Sequence, residues 1–290
     1  MKVLSLFDGV GGGYQALRLA GVQVSSYISS EIEKSSINIA ARHIPDYLNL
    51  GDVRGVRGGN YDLILAGSPC QGFSYAGRGL NFSDPRSSLF FEFVRIVRES
   101  LIFNPDVKIF LENVNMRREW KDVITSELGI TPVEICASTL SPFRRNRLYW
   151  FNWESAPEIK TVSFKELTGG LPCSIVGRPL DENLKRVDGK GLPVVQCIEV
   201  TNGDIGRCVT TVSKDSCVYL GANRPQSRIP DAYGANRNLW RDLTISELEV
   251  GHGYDSGFFD NVKESTARKA IGNGWSLQVV SSIFRGLNHV

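Results

Sequence analysis

Short apolar runs alternate with longer amphipathic segments over the first 150 residues. The apolar runs predict strands and are KVLSLF, VSSYISS, YDLILAG, VKIFLEN, PVEICAST and RLYWFNW. Helical spacing appears between them in GYQALRLA, KSSINIAARH and SDPRSSLFFEFVRIVRESLIF, the last with Ser83 or Asp84 as a cap and Pro85 near the first turn. A further short helix is predicted over Met116–Leu128. This alternation predicts an α/β fold with a doubly wound, mostly parallel sheet.

The pattern changes between residues 154 and 242, where short β-like pieces are separated by Gly, Pro, Asn and Asp. Such a segment is typical of a smaller, irregular β-rich lobe. Regular spacing returns in LTISELEVG, where Thr244 and Glu247 fit a capping box, and KESTARKAIGNGWSLQVVSSIFRGL is predicted to end the chain as a helix. We therefore predict one domain from residues 1–153 and 243–290, and a second lobe from residues 154–242.

Composition excludes several classes of protein. With 42% apolar and 22% charged residues among 290, the chain is typical of a soluble globular protein. Its apolar stretches are shorter than the roughly 18 residues that span a membrane, and its first residues are too Gly-rich for a signal peptide. The six cysteines form no C-x-x-C pair and the three histidines lie far apart. We therefore expect an intracellular protein without a metal site.

The stretch VLSLFDGVGGG combines a strand, a Gly-rich turn and the start of a helix, a layout that lets the backbone approach a nucleotide-like ligand. It does not complete the dinucleotide motif G-x-G-x-x-G, because Tyr14 occupies the sixth position. Glu31 follows about 20 residues later, where a carboxylate can accept both ribose hydroxyls, and Asp52 could receive an adenine amino group. A nucleoside pocket without a pyrophosphate site suits S-adenosylmethionine better than NAD. The alternative interpretation is an ordinary tight turn.

Two residues at predicted strand ends carry candidate chemistry. Cys70 follows the apolar run YDLILAG in the turn SPCQ, at the sheet edge where open α/β folds bind ligands. Glu112 follows Ile-Phe-Leu on the next strand, where burial would favour a protonated carboxyl that can donate a proton. Together they offer a thiolate nucleophile and an acid.

The motifs FDGVGGG, GSPCQGFS, FLENV, RRNRLYW and GNGWS occur in this order and cover nearly the whole chain. With them, the sequence resembles the DNA cytosine-C5 methyltransferases. It shares features with bacterial modification enzymes and with the catalytic domains of animal de novo enzymes. The resemblance implies a Rossmann-like, S-adenosylmethionine-dependent methyltransferase fold with a smaller recognition lobe, in the cytoplasm of a prokaryotic or phage-infected cell.

The resemblance also implies a reaction. Cys70 would add to C6 of a cytosine flipped out of duplex DNA, Glu112 would donate a proton to N3, and Arg145 and Arg147 would hold the O2 edge. The methyl group of S-adenosylmethionine would pass to C5, leaving S-adenosylhomocysteine. The cofactor pocket would comprise Phe7, Asp8, Gly9, Gly11, Glu31, Ile32, Asp52, Val53, Ser68, Pro69, Asn273, Trp275 and Ser276.

Contacts with double-stranded DNA are expected from two loops. The loop from Gln71 to Arg86 would close over the site as a lid and would contribute Gln71, Ser74, Arg78 and Arg86. A second loop, Ser213–Asn238, would read the target through Arg224, Gln226, Arg228 and Arg237, although these side chains also suit a solvated polar loop. A cognate restriction endonuclease is a further possible partner, whereas a membrane is not expected.

Three alternatives compete with this interpretation. A tRNA cytosine methyltransferase shares the cysteine and Glu-Asn-Val but generally has Pro-Pro-Cys, whereas this chain has Ser68, Pro69 and Cys70. An NAD-dependent oxidoreductase would need the complete Gly-rich motif. A non-catalytic DNA-binding homologue should have lost Cys70 or Glu112, and both are present.

Overall fold

The structure is a computed structural model that describes residues 1–69, 89–179, 181 and 194–289. Contacts within the chain divide it into two compact units. The first unit comprises Met1–Cys136, Asn146–Glu158 and Leu277–Val290, and the second comprises Ala137–Arg145 and Ile159–Ser276. Each unit is described by itself.

The first unit is built on a seven-stranded sheet. Its strands are β1 (Lys2–Leu6), β2 (Ser26–Ser30), β3 (Leu48–Asn49), β4 (Leu63–Gly67), β5 (Lys108–Val114), β6 (Val133–Cys136) and β7 (Asn146–Phe151). They are ordered β3-β2-β1-β4-β5-β7-β6, with β7 antiparallel to β5 and β6 and the other pairs parallel. The predicted doubly wound, mostly parallel sheet is confirmed. The parallel strands β1, β2, β4 and β5 direct their carboxyl ends to one edge, where such sheets bind ligands.

Helices follow the parallel strands in alternation. They are α1 (Gly12–Ala20), α2 (Lys34–His43), α3 (Leu89–Leu101) and α4 (Arg118–Leu128). α3 buries Phe90 and Phe93 completely, in the cluster that also contains Trp150 of β7. The predicted cap of this helix, Ser83 to Pro85, lies outside the described residues. Among the described residues, no helix is long and apolar enough to cross a bilayer.

The second unit contains a four-stranded antiparallel sheet in the order β11-β10-β8-β9. Its elements are α5 (Phe164–Thr168), β8 (Leu171–Pro179), β9 (Val194–Val200), β10 (Cys217–Tyr219), β11 (Trp240–Asp242), α6 (Ile245–His252) and α7 (Glu264–Asn273). The predicted smaller β-rich part is therefore present. The contacts group α6 and α7 with this unit, whereas the sequence assigned residues 243–290 to the first domain. The functional domain boundaries stay a prediction.

The C-terminal segment contains two helices instead of the predicted single one. α7 ends at Asn273, α8 (Leu277–Phe284) follows, and a 3-10 turn completes the described chain at Arg285–His289. Gly274 has an extended backbone (φ −71°, ψ 177°), which interrupts the helical hydrogen bonds. The prediction of one continuous terminal helix is wrong for this reason. The capping box between Thr244 and Glu247 is confirmed at the start of α6.

Candidate functional site

The predicted site residues fall into three groups. The first unit contains Phe7, Asp8, Gly9, Gly11, Glu31, Ile32, Asp52, Val53, Ser68, Pro69, Glu112 and Arg147. The second unit contains Arg145, Arg224, Gln226, Arg228, Arg237, Asn273, Trp275 and Ser276. Outside the described residues lie Cys70, Gln71, Ser74, Arg78 and Arg86.

The Gly-rich turn after β1 depends on left-handed backbone conformations. Phe7, Gly9 and Gly11 have φ values of 56°, 61° and 81°. A Cβ atom at Gly11 would also approach Ile44 Cδ1 within 2.6 Å, so glycine is required there for space as well as for conformation. The turn therefore brings bare backbone to the carboxyl end of β1, directly before α1.

Glu31 joins this turn to the end of β2. Its Oε2 accepts a hydrogen bond from the backbone amide of Gly9 at 2.8 Å, and its Oε1 accepts from the amides of Ile32 and Glu33, each at 2.8 Å. A carboxylate can accept about four hydrogen bonds, so one position remains for a ligand after these three. The carboxylate is thus fixed in place at the edge where the sequence predicted a ribose contact.

Asn49, at the end of β3, holds the backbone of Glu31. Its side-chain oxygen accepts from the Glu31 amide at 2.9 Å, and its side-chain nitrogen donates to the Glu31 carbonyl at 3.0 Å. The sequence analysis missed this residue. A polar side chain at the end of a short strand was the one available signal.

The carboxyl group of Asp8 points into the protein. Its Oδ1 accepts hydrogen bonds from the hydroxyls of Ser5 at 2.6 Å and Tyr27 at 2.5 Å. Burial raises the pKa of Asp8 to about 7. The hydrogen bonds from Ser5 and Tyr27 oppose this rise, whereas the negative charge of Glu31 adds to it. The predicted cofactor residue is therefore part of a buried network that includes Tyr27, which the sequence analysis missed.

Asp52 lies after β3 and caps the following 3-10 turn, Val53–Gly55. Its carboxylate is paired with Arg54, with Oδ2 2.5 Å from the guanidinium. Hydrogen bonds from Arg54 lower the pKa of Asp52 to about 2. Both side chains are largely exposed, at 70% for Arg54 and 44% for Asp52. The predicted contact of Asp52 with an adenine amino group stays a prediction, and Arg54 would have to release one oxygen for it.

The turn that leads out of β4 is held from β5. Asn113 is buried, and its side-chain nitrogen donates to Ser68 Oγ at 2.9 Å. Its side-chain oxygen accepts from the amide of Val114 at 2.8 Å. Ser68 and Pro69 directly precede Cys70 in the sequence. The hydrogen bond from Asn113 therefore fixes Ser68, two residues before the candidate nucleophile.

Glu112 and Arg147 form an ion pair across neighbouring strands. Glu112 in β5 is opposite Tyr149 in β7, and Arg147 is opposite Val114, so the pair is a diagonal one on a shared face. Arg147 Nε lies 2.9 Å from Glu112 Oε1, and the side chains are 16% and 12% exposed, respectively. The structure therefore brings together two of the residues that the sequence assigned to catalysis.

Arg145 has a different environment, within the second unit. Its guanidinium donates to the carbonyls of Gly272 at 3.0 Å and Gly274 at 2.8 Å. The residue is only 5% exposed, and burial together with Arg145 lowers the pKa of His252 to about 3. Arg145 thus stabilises the turn that contains Asn273, where the chain leaves α7. Its predicted contact with cytosine stays a prediction.

The predicted DNA-reading arginines have partners within the second unit. Arg224 donates to a backbone carbonyl at 2.9 Å, and Arg228 pairs with Glu199, which also accepts from Arg207. Gln226, between the two arginines, is exposed. The partners hold the arginine side chains at defined positions without removing them from the surface.

Arg237 is stacked on an aromatic side chain. Its guanidinium carbon lies 4.3 Å from the centre of the Trp240 ring, and its Nη1 donates to the Trp240 carbonyl at 2.9 Å. Tyr233 packs edge-on against the same ring and is 53% exposed. Tyr233 and Arg237 of the predicted reading loop therefore pack around Trp240, the first residue of β11.

Comparison with known proteins identifies related sequences. The family described as C-5 cytosine-specific DNA methylase matches residues 1–124. The type II methyltransferase M.NlaIV of Neisseria lactamica is 36% identical over 105 residues, which cover 34% of this chain and 25% of the relative. The orphan methyltransferase M.SPRI of Bacillus phage SPR is 38% identical over 104 residues, 34% of this chain and 24% of the relative. The matched segment thus spans about a quarter of either relative.

Solved structures share the fold over almost the whole chain. The Entamoeba histolytica methyltransferase EhMeth has a TM-score of 0.72 at 16% identity and covers 100% of this chain and 98% of its own. DNMT2 of Spodoptera frugiperda has a TM-score of 0.66 at 16% identity, with 99% of both chains covered. At these identities the likeness establishes the fold alone, which is the predicted Rossmann-like α/β fold.

Proposed function

We propose that the chain transfers a methyl group from S-adenosylmethionine to C5 of cytosine in double-stranded DNA. The proposal starts from the match of residues 1–124 to the C-5 cytosine-specific DNA methylase family. The observation that supports this most is the pairing of Glu112 with Arg147. Glu112 lies on β5, which is next to β4, and Arg147 lies on β7 beyond it. In the sequence, β4 is followed directly by Ser68, Pro69 and Cys70. An acid and a cation therefore lie beside the strand that precedes the candidate nucleophile in the sequence.

The residues at the carboxyl ends of β1 and β2 fit S-adenosylmethionine. The turn from Phe7 to Gly11 offers backbone at close range, and the anchored Glu31 carboxylate retains capacity for a ribose hydroxyl. Asp52 would hold the adenine end. When bound, the cofactor supplies an electrophilic methyl group. Asn273, Trp275 and Ser276 are proposed to close its methionine end.

Cys70 is proposed to act as the nucleophile. C5 of cytosine is a weak nucleophile until the ring loses its aromaticity, and addition of a thiolate at C6 achieves this. Glu112, which is a carboxylate while it pairs with Arg147, would take up a proton from solvent as the base enters and donate it to N3 while the sulfur bonds to C6, so that electron density accumulates at C5. Once C5 has received the methyl group and S-adenosylhomocysteine is left, solvent would take the C5 proton, N3 would return its proton to Glu112, and expulsion of the Cys70 thiolate would restore the ring. The protein is left unchanged.

The two arginines are proposed to have separate roles. Arg147, which pairs with Glu112, would orient the acid and contact the O2 edge of the base. Arg145 is occupied by the carbonyls of Gly272 and Gly274, so we assign it to the support of that turn. Arginine suits both tasks, because its planar group carries five donors in a fixed arrangement.

The substrate base would have to leave the duplex, because C6 cannot be reached within stacked DNA. We propose that the segment after Cys70 assists this step through Gln71, Ser74, Arg78 and Arg86, and that Arg224, Gln226, Arg228 and Arg237 contact the DNA. Since one relative is named a type II methyltransferase, a cognate restriction endonuclease in the same cytoplasm is a proposed partner.

Methyl transfer from labelled S-adenosylmethionine tests this proposal. The purified chain is incubated with unmethylated duplex DNA or with tRNA, and the nucleosides are then separated. Labelled 5-methylcytosine in the DNA, formed far more slowly with Glu112→Gln, is the expected result. Label in tRNA alone, or in neither substrate, would contradict the proposal.

A further inference from the structure

Tyr27 connects three elements of the first unit through one hydroxyl group. The hydroxyl accepts a hydrogen bond from the backbone amide of Tyr14, in α1, at 3.1 Å. It donates to Asp8 Oδ1 at 2.5 Å, and Ser5 Oγ donates to the same oxygen at 2.6 Å. Tyr27 is itself a residue of β2 and is 5% exposed. The turn after β1 is therefore tied to both the next strand and the following helix.

The fold leaves room for this hydroxyl at Gly13. A Cβ atom at Gly13 would lie 2.7 Å from Tyr27 Oη and 2.8 Å from Leu65 Cδ1. Both distances are too short for carbon contacts, and neither side chain can withdraw easily because both are buried. The absence of a side chain at Gly13 therefore lets the phenol reach Asp8 beneath the start of α1.

The turn that Asp8 occupies needs such support. Phe7 has a φ value of 56°, a conformation that costs a non-glycine residue free energy and persists only when its surroundings enforce it. The Asp8 amide donates to the Ser30 carbonyl at 3.3 Å, which restrains the same turn from the backbone side. The bonds from Tyr27 and Ser5 restrain it from the side-chain side.

We propose that Tyr27 is a positioning residue for the cofactor site, which acts through Asp8 to hold the turn from Phe7 to Gly9. The inference rests on the proposed binding of S-adenosylmethionine at this turn. Gly9 also donates to Glu31, so a displaced turn would release the carboxylate that is proposed to bind the ribose. Tyr27 itself touches no ligand in this account.

The ionisation of Asp8 reports on the network. The negative charge of Glu31 raises the pKa of Asp8, and the hydroxyls of Ser5 and Tyr27 donate hydrogen bonds to the Asp8 carboxyl. The charge of Asp8 in turn raises the pKa of the Tyr27 and Tyr47 phenols. Burial is the largest influence on Asp8 and brings its pKa to about 7, whereas the hydrogen bond from Tyr27 lowers it. Removal of the Tyr27 hydroxyl should therefore raise the pKa of Asp8.

Calorimetric binding of S-adenosylmethionine to the full chain tests the proposal. Tyr27→Phe should weaken binding about five- to tenfold, the size of one lost hydrogen bond, while kcat at saturating cofactor changes little. Tyr61→Phe is the matched control, because it removes a half-buried phenol hydroxyl before the amino end of β4, at the opposite edge of the sheet. It should bind as the wild-type chain does.

Carbon NMR of the Asp8 carboxyl gives a readout that does not depend on the cofactor. Its titration midpoint should rise in Tyr27→Phe and stay unchanged in Tyr61→Phe. Ser5→Ala, which removes the second donor to the same oxygen, should also raise the midpoint and serves if Tyr27→Phe fails to fold.

The outcomes separate this inference from the proposed function. Cofactor affinity and an Asp8 midpoint that are the same in Tyr27→Phe as in the wild-type chain would overturn the role of Tyr27. A wild-type chain that binds no S-adenosylmethionine would overturn the proposed function and, with it, the positioning role, even if the Asp8 midpoint moves as expected. A lower melting temperature alone, with both readouts unchanged, would show that Tyr27 contributes only to stability.

Discussion

Arg147 Nε lies 2.9 Å from Glu112 Oε1, across the antiparallel pair β5 and β7. Each side chain is less than one fifth exposed, so the surrounding protein restricts the orientations that the pair can adopt. A carboxyl group held in this way is oriented before a substrate arrives, which is what general acid catalysis requires.

Changes at this pair should affect the chemical step. Glu112→Gln keeps the size of the side chain but removes the transferable proton, so the rate of single-turnover methylation should fall by about 100-fold or more. Binding of S-adenosylmethionine should stay within twofold of the wild-type value. A Glu112→Gln chain that methylates at the wild-type rate would contradict the role of the acid.

Arg147→Lys tests the geometry of the pair and not its charge. Lysine retains the positive charge but loses the planar group that matches a carboxylate, so the rate should fall by about tenfold. Arg118→Lys is the control, because Arg118 forms an exposed ion pair with Asp122 on α4. Equal rates for the two lysine variants would argue against a specific role for Arg147.

Arg145 should contribute to stability through the turn after α7. Arg145 uses two guanidinium nitrogens to bond the carbonyls of Gly272 and Gly274, and lysine has only one nitrogen to replace them. The free energy of unfolding of Arg145→Lys, measured in urea, should therefore be lower by about 1–3 kcal/mol. Arg144→Lys is the control, because Arg144 is exposed next to it. If both variants unfold at the same urea concentration, Arg145 does not support the turn.

Asn113 should affect both stability and catalysis. Asn113→Ala leaves the buried hydroxyl of Ser68 without its donor, at a cost of about 1–3 kcal/mol, and it should slow methylation because the turn before Cys70 is released. The control is Asn115→Ala, whose exposed amide donates to Glu134 at 2.9 Å. If Asn113→Ala methylates DNA at the wild-type rate, the bond to Ser68 does not contribute to catalysis.

The stability of the chain should fall at acidic pH because of His252. Burial lowers the pKa of this imidazole from 6.5 to about 3, so below pH 6.5 the unfolded chain binds a proton that the folded chain does not. The free energy of unfolding should then decrease by up to about 1.4 kcal/mol for each pH unit. The pKa of Asp8 is raised to about 7 in the folded chain, so this group makes the free energy of unfolding increase as the pH falls below 7. Single variants are therefore needed to separate the effect of His252 from that of Asp8.

His252→Gln isolates this effect. Glutamine does not titrate and still carries a donor for the Leu248 carbonyl, to which the imidazole lies 2.9 Å away. Urea unfolding between pH 7 and pH 5 should show the wild-type chain losing stability relative to the variant. Parallel pH profiles for the two chains would rule out His252 as the source.

The sequence predicted the first unit well because its signals are local. Apolar runs predict buried strands of a parallel sheet, and each of the six runs corresponds to one strand between β1 and β7. The carboxyl ends of parallel strands share an edge, so Glu31 and Ser68 could be placed there from the strand positions alone. The capping box of α6 was visible for the same reason.

Other features depend on contacts that no local pattern contains. The helical spacing of the last segment continues through Gly274, and the break becomes evident only with Arg145 on the neighbouring carbonyls. Tyr27 and Asn49 look like ordinary strand and loop residues in the sequence. Their roles arise because β1, β2 and β3 are adjacent in the sheet although distant along the chain.

Covalent capture on DNA that contains 5-fluorocytosine tests whether Cys70 bonds to C6 of the base. The fluorine at C5 cannot leave as the proton does, so the bond between the protein and C6 persists after methyl transfer. In the presence of S-adenosylmethionine, the wild-type chain should form a denaturation-resistant complex with this DNA, and mass spectrometry should locate the link at Cys70. A complex of equal yield with Cys70→Ser, or none with the wild-type chain, would contradict the proposed reaction.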